Sequence, residues 1–254
     1  MGKAVGRWVP LSPFRLLVAD LMHFSQRTPA VTADRRMDLR PLIAARAASA
    51  LKPGWSTLFA RAYGMLSRDT PALRRTYLEL PWGRLYEHPH SVACVNLERR
   101  DGDEDIVLFC LVRGPENRSL EEIEAMVRHH REAPLETLRP YQRSMSMARV
   151  PWPFRRWVWW LSLNLFGKLR CHNYGTFSIS NIGSAGAGLM NVVPALTTSF
   201  HPGMFDEHGR LDGRLTFDHR VLDGAAVARA MRDLEAILTR DLVRELEGTA
   251  RAAA

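Results

Sequence analysis

The segment of this sequence with the clearest chemical content is residues 217–225, which read FDHRVLDGA. His219 follows an apolar stretch typical of a strand and lies four residues before Asp223. An imidazole held in a fixed orientation at the end of a strand can act as a general base. The alternative is structural, with Asp223 as the N-terminal cap of the helix that follows and His219 as an ordinary loop residue. Spacing alone leaves both interpretations open.

Motifs of the common nucleotide, hydrolase and metal sites are missing from the sequence. It contains no P-loop, no GxGxxG fingerprint, no GxSxG elbow and no HExxH pair. His129 and His130 are adjacent on a predicted helix, so they do not share a face. His88 and His90 flank a proline without an evident third ligand. We therefore expect no metal site.

The composition is that of an ordinary globular protein with excess positive charge. Of the 254 residues, 46% are hydrophobic and 24% are charged, which excludes disordered and low-complexity classes. The net charge is +8, and only Lys3, Lys52 and Lys168 are lysines. The arginines are mostly single or paired, without a nucleic-acid-binding module. We expect a solvated basic surface or a small anionic partner, and no nucleic acid.

The sequence carries no evident targeting or membrane-spanning signal. Its most apolar stretch, residues 157–166, is too short to cross a bilayer. The three cysteines, Cys94, Cys110 and Cys171, are too few and too scattered for a disulfide framework. These features predict a cytoplasmic protein.

Hydrophobic periodicity predicts helices alternating with strands. An Asp-Gly-Asp turn at 101–103 joins two apolar strands into a hairpin, and Ser119 with Glu122 forms a capping box. The mixture predicts an α+β fold with an antiparallel or mixed sheet. The predicted helices are 15–26, 39–50, 56–67, 119–130 and 225–246, and the predicted strands are 30–31, 91–97, 106–112, 175–182 and 214–217.

Residues 217–225 resemble the DHRxxDG signature of the acyltransferase subunits of 2-oxoacid dehydrogenase complexes. Residues 175–183, GTFSISNIG, are similar to that family's GTFTISNLG, and residues 10–15, PLSPFR, resemble its PLSxxR start. The family shares its catalytic fold with chloramphenicol acetyltransferase. The resemblance implies a trimer-forming α+β fold with a mixed sheet and flanking helices. The implied domain limits are an extension at 1–9, a catalytic domain at 10–246 and a tail at 247–254.

The resemblance also implies a mechanism of acyl transfer from a thioester such as acyl-coenzyme A. His219 would be the general base, and Ser180 would donate a hydrogen bond to the oxyanion. Asp223 would pair with Arg15 and order the loop that carries His219. No metal and no covalently attached lipoyl group is implied, and each site would lie between subunits of a homotrimer. The alternative for Ser180 is a strand hydroxyl bonded to backbone.

The sequence departs from the family pattern at its ends and around the expected substrate channel. No lipoyl or peripheral-subunit-binding domain precedes residue 10, and residues 244–254 lack an apolar terminal segment, so we expect a free trimer. The acyl group would come from coenzyme A or from a separate acyl or lipoyl carrier protein. Pro29-Ala30 replaces the family's Pro-His, and residues 109–111 replace its PVI, which leaves the acyl and acceptor specificity open.

An aromatic-rich insertion occupies about residues 150–169. It has three interpretations: a buried core or trimer-packing helix, a membrane-interface helix, or the wall of an acyl pocket. Membrane contact would involve Trp157, Trp159 and Trp160. Two rival functions follow, a catalytically inactive scaffold of the same fold and a membrane-associated interaction module. The aromatic side chains at the start of the insertion are Trp152, Phe154, Trp157, Trp159 and Trp160.

Overall fold

The computed structural model describes residues 6–181 and 196–252, the last four by their backbone alone. The helices are α1 Pro13–Ser25, α2 Arg40–Ala48, α3 Trp55–Asp69, α4 Leu120–Glu132, α5 Arg139–Ala148, α6 Trp152–Asn164, α7 Gly167–Tyr174, α8 Gly224–Ala236 and α9 Leu242–Ala252. The strands are β1 Ala30–Asp38, β2 Arg75–Leu78, β3 Arg84–Glu87, β4 Val92–Asp101, β5 Glu104–Arg113, β6 Phe177–Ser180, β7 Thr198–Pro202 and β8 Arg210–Asp218.

Within these described residues, six strands form a mixed sheet in the order β1-β8-β7-β6-β4-β5. Strands β4 and β5 form the predicted antiparallel hairpin. Strand β6 pairs in parallel with β4 on one side and with β7 on the other, and β8 runs antiparallel to both β7 and β1. The β2–β3 hairpin forms a separate small sheet. The mixed sheet and its flanking helices confirm the predicted α+β class.

The main sheet has one apolar and one polar face because side chains alternate along each strand. Its apolar face packs against α3, α4 and α8. There the Tyr63 ring lies 4.3 Å from the Phe177 ring, and the Tyr63 hydroxyl donates a hydrogen bond of 2.8 Å to Thr198. The opposite face carries buried groups of a different kind, namely Cys94, Ser178, Ser180, Ser199, His201 and Thr216.

Side-chain caps begin two of the helices. The Ser12 side chain accepts the Arg15 backbone N–H and caps α1. The predicted capping box of Ser119 with Glu122 forms at α4. The helix predicted at 225–246 is instead divided by a π-helical turn, Ile237–Asp241. The strand predicted at 30–31 extends to Asp38 because all nine residues of β1 pair with β8.

The insertion forms α6 and α7, and α6 is buried on one side only. Arg155 and Trp159 are buried, whereas Phe154, Trp157 and Val158 are exposed. A fully buried core helix is therefore the wrong interpretation for a single chain. Among the described residues, no helix combines the length and apolar character needed to cross a bilayer.

Candidate active site

The loop after β8 is held by the buried carboxylate of Asp218. Oδ1 of Asp218 accepts hydrogen bonds from the backbone N–H and Nε of Arg220, and Oδ2 accepts one of 2.7 Å from Nη2. The Asp218 backbone N–H donates to the carbonyl of Thr197, the residue before β7. The Arg220 guanidinium also lies 4.4 Å from the ring centroid of Tyr77. The loop is thus fixed on both sides of His219.

His219 has a fixed backbone and an accessible ring. Its N–H donates a hydrogen bond of 3.0 Å to the Pro29 carbonyl, and its ring lies 5.6 Å from that of Phe217. The side chain is 48% exposed, and Nδ1 lies 3.9 Å from Oδ1 of Asp223. That separation is too long for a hydrogen bond. An imidazole placed in this way can exchange a proton with a group that enters from outside the chain.

The predicted partnership of Asp223 with Arg15 is not formed in the structure. Asp223 precedes α8, but its side chain makes no capping hydrogen bond and is 88% exposed. Arg15 is exposed on α1, and none of the ion pairs of residues 6–181 and 196–248 joins it to Asp223. Asp218 holds the loop instead, because Arg220 lies only two residues away along the chain.

Ser180 ends β6 on the polar face of the sheet. It lies opposite Asn96 of β4 in the parallel register and is buried. Two residues earlier, the hydroxyls of Ser178 and Ser199 share a hydrogen bond across β6 and β7. Residues 182–195, which include the end of the GTFSISNIG motif, lie outside the described residues. Ser180 therefore belongs to a row of small polar side chains across neighbouring strands.

His201 is a polar residue of this face that the sequence analysis did not identify. It is 2% exposed, and neither ring nitrogen forms a well-aligned hydrogen bond with the described residues. The pKa of His201 is lowered from 6.5 to about 4, mainly by burial. The Ser180 backbone raises the pKa by less than burial lowers it, and the nearby charge of Arg214 also lowers it. The only signal in the sequence was a lone histidine in the stretch TTSFHP.

Ser180 and His219 lie far apart within one chain. Across the sheet, Ile179 pairs with Phe200, and Phe200 pairs with Leu215. The next residue, Ser180, is therefore level with His201 and with Arg214, which pairs with His201. His219 comes five residues after Arg214 along the chain, or about 17 Å at strand spacing, and it is also displaced by two strands. A single chain does not bring these two candidate residues together.

The insertion contributes a wall beside the loop that carries His219. A small cavity of about 50 Å³ is lined there by Arg220 of the loop, by Tyr77, and by Trp160, Leu163 and Arg170 of α6 and α7. The insertion therefore lies beside this loop, and its role as the wall of an acyl pocket stays a prediction. Within the part of the chain that the structure describes, no three His, Cys, Asp or Glu side chains are grouped as a metal site would require.

Solved structures with the same architecture include two acetyltransferases and the core of a multienzyme complex. The cubic core of a pyruvate dehydrogenase multienzyme complex matches over 96% of this chain and 95% of that chain, with a TM-score of 0.68 and 18% identity. Azotobacter vinelandii dihydrolipoamide acetyltransferase, studied for a serine, a histidine and an asparagine in its catalytic mechanism, matches with the same coverage, a TM-score of 0.67 and 19% identity. A chloramphenicol acetyltransferase matches over 86% of this chain and 94% of that chain, with a TM-score of 0.53 and 13% identity.

Sequence comparison alone does not find these relationships. No protein-family model matches the chain, and no curated protein matches it. The structural likeness nevertheless extends over nearly the whole chain and confirms the fold that the sequence motifs predict. The chain has the fold of the catalytic cores of 2-oxoacid dehydrogenase acetyltransferases and of chloramphenicol acetyltransferase.

Proposed function

We propose that this protein is an acyltransferase that moves an acyl group from a thioester, such as acyl-coenzyme A, to a thiol, hydroxyl or amine. The observation that carries the proposal is the placement of His219. Its backbone is fixed by Pro29 and by the Asp218–Arg220 pair, while half of its ring faces solvent. A preorganised base that an entering substrate can reach is what this chemistry requires.

In the proposed reaction, a ring nitrogen of His219 removes the proton from the acceptor as the acceptor attacks the thioester carbonyl. The new bond to carbon produces a tetrahedral intermediate with a negatively charged oxygen. When the intermediate collapses, the carbon–sulfur bond breaks and the protonated imidazole returns its proton to the leaving thiolate. The histidine therefore ends the cycle neutral, and no redox partner is needed.

Ser180 is proposed as the donor to the oxyanion, supplied by a neighbouring subunit of a homotrimer. The long separation of Ser180 from His219 within one chain supports a site shared between copies. The Azotobacter enzyme, which has the same fold, was studied for a catalytic serine and histidine. A hydroxyl positioned for the transition-state charge typically contributes on the order of 10²–10³ in rate.

The identity of the acyl donor is the finer part of the proposal. The basic surface, with a net charge of +8, suits the phosphates of coenzyme A or the acidic face of an acyl or lipoyl carrier protein. Trp160 and Leu163 lie beside the loop that carries His219, where a bulky acyl group or acceptor would meet them. We propose that the insertion adjusts specificity at this wall.

The test is thiol release from a series of acyl-coenzyme A thioesters, from acetyl to long-chain, with dihydrolipoamide, chloramphenicol, alcohols and amines as acceptors. We expect acceptor-dependent release by the wild type and a loss of roughly 10²–10⁴-fold in His219→Ala. His208→Ala is the matched control, since His208 is an exposed histidine outside the site. Equal release by wild type and His219→Ala would favour the inactive scaffold.

A further inference from the structure

One surface of the protein combines exposed aromatic side chains with a groove and positive charge. We call it the α6–α7 surface and define it by Phe154, Trp157, Val158, Phe166 and Leu169, all of which are exposed. The side chains of Phe154 and Trp157 are large and expose more than half of their area to solvent, at 64% and 62%. Exposed apolar groups clustered in this way mark an interaction site on a soluble protein.

The aromatic side chains face outwards because the opposite side of α6 is anchored. Arg155 forms a buried ion pair with Asp20 of α1, and the Trp159 ring stacks on Tyr174 at a centroid distance of 5.1 Å. Trp159 is therefore excluded from the membrane contact predicted for it, whereas Trp157 is free to make one. Phe154, Trp157 and Val158 are spaced at i, i+3 and i+4 and so form one stripe of the helix.

Beyond the C-terminal end of α6, an open groove of about 710 Å³ lies between the β2–β3 hairpin and the start of α7. Leu85 of the hairpin and Phe166 and Leu169 beside it give the groove an apolar lining. Arg84 and Lys168 are also part of the lining. The groove thus places cationic groups next to apolar groups. A surface that binds an anionic amphiphile needs this combination.

The segment that carries this surface has an excess of positive charge. Residues 137–205, which include α5, α6 and α7, contain seven Lys and Arg and no Asp or Glu. Of these seven, Arg155 and Arg156 pair with Asp20 of α1, and Arg170 is buried. Arg113, Arg143 and Lys168 lie close enough to His172 to lower its pKa, with Arg113 the largest cause. Arg113 and Arg143 donate their hydrogen bonds to neutral groups, the His172 carbonyl and the Asn173 side chain.

We propose that the α6–α7 surface docks the protein onto an anionic phospholipid bilayer. Trp157 and Phe154 would enter the headgroup region, where aromatic rings are favoured, and Lys168, Arg84 and Arg143 would meet lipid phosphates. The positive charge favours this occupant over an isologous contact, in which a second copy would present the same surface and bring like charges together. The proposal does not depend on acyl transfer.

The experiment is flotation of the full chain with phosphatidylcholine vesicles and with vesicles that also contain phosphatidylglycerol. We expect at least a tenfold preference for the anionic vesicles, weakened by high salt because surface charge attraction is screened. The double variant Phe154→Glu with Trp157→Glu should lose at least tenfold of this binding. Met204→Glu is the control for an introduced glutamate, because it places one negative charge at an exposed apolar residue between β7 and β8.

A second pair of variants tests the charge independently of the aromatic stripe. Arg84→Ser with Lys168→Ser should weaken binding to the anionic vesicles and leave any weak binding to phosphatidylcholine alone unchanged. Absence of wild-type flotation, or equal flotation by the folded Glu variants, would overturn the proposal. A smaller mass of the Phe154→Glu and Trp157→Glu variant by light scattering would also overturn it, by assigning the surface to contacts between copies.

Discussion

At the scale of single residues, His201 is a buried histidine that forms no ion pair with the residues the structure describes. Burial lowers its pKa to about 4 in the folded protein, against 6.5 in the unfolded chain. Between these pH values, the unfolded chain binds the proton and the folded chain does not. The contribution of His201 to the free energy of unfolding is therefore fully present above about pH 6.5. It is lost as the pH falls from about 6.5 to about 4, and the loss is about 3 kcal/mol at most.

The measurement is urea denaturation of the wild type and of His201→Leu between pH 7 and pH 4. We expect a shallower loss of stability on acidification in His201→Leu, because the variant has no proton to take up at this position in the unfolded state. His208→Leu, at an exposed histidine, is the control and should follow the wild type. Parallel pH profiles for all three proteins would show that His201 does not contribute.

The sequence motifs identified candidate site residues, but they did not predict the contacts that those residues make. His219 and Ser180 were identified from short motifs, and their roles remain predictions. A pairing of Asp223 with Arg15 depends on how α1 is oriented relative to a loop that is distant in sequence. Local sequence patterns do not predict that orientation. Asp218 and Arg220 are two residues apart, so their contact is local. His201 belongs to no motif, because only the neighbouring strands make it part of a polar row.

At the scale of elements, Gly175 explains why the GTFSISN motif begins with glycine. Its φ is +99°, and a Cβ at this position would lie 2.9 Å from the Val92 carbonyl oxygen and 3.2 Å from Cys94. Gly175→Ala should therefore lower the free energy of unfolding by more than about 1 kcal/mol, since both the backbone conformation and the space are unsuitable. Chemical denaturation measures the change.

Gly224 provides the matched control for this substitution. It begins α8, and a Cβ there would meet nothing within 4 Å. Gly224→Ala should be neutral or slightly stabilising. A comparable destabilisation of both variants would contradict the explanation from crowding and backbone conformation at Gly175.

The attachment of α6 to α1 is a second element-scale feature that can be tested. Asp20 accepts hydrogen bonds from both Arg155 and Arg156, but only Arg155 is itself buried. Arg155→Ala should cost about 3 kcal/mol of stability, because a buried carboxylate loses its buried partner. Arg156→Ala should cost less than about 1 kcal/mol, since its guanidinium is partly solvated. Equal losses in thermal denaturation would rule out this division of roles.

Local patterns predicted the long elements and missed those that depend on distant pairing. The β4–β5 hairpin and helix α4 have alternation or caps that are visible in sequence. Strand β7 is short and carries hydroxyl side chains, and it becomes a strand because β6 and β8 pair with it on either side. The exposed stripe of α6 also required the structure, because the buried side of the helix contains Arg155, which sequence hydropathy assigns to solvent.

At the scale of the whole molecule, the two residues proposed to act in catalysis lie far apart in one chain. Ser180 on β6 and His219 after β8 are two strands apart in one sheet, and they are separated by about 17 Å along the strand direction. A rigid sheet cannot bring them together. If both act on one acyl group, a second copy must supply one of them, and the proposed homotrimer would contain three such shared sites.

The most direct measurement of this shared site is complementation between two inactive variants. His219→Ala and Ser180→Ala proteins, each folded and each with low thioester-dependent activity, are dissociated, mixed in equal amounts and reassembled. In a mixed trimer, a Ser180→Ala subunit supplies an intact His219, and a neighbouring His219→Ala subunit supplies an intact Ser180. The two residues together complete one site. Random mixing should therefore restore roughly a quarter of the wild-type activity. No recovery after mixing is verified by mass would contradict a site shared between subunits.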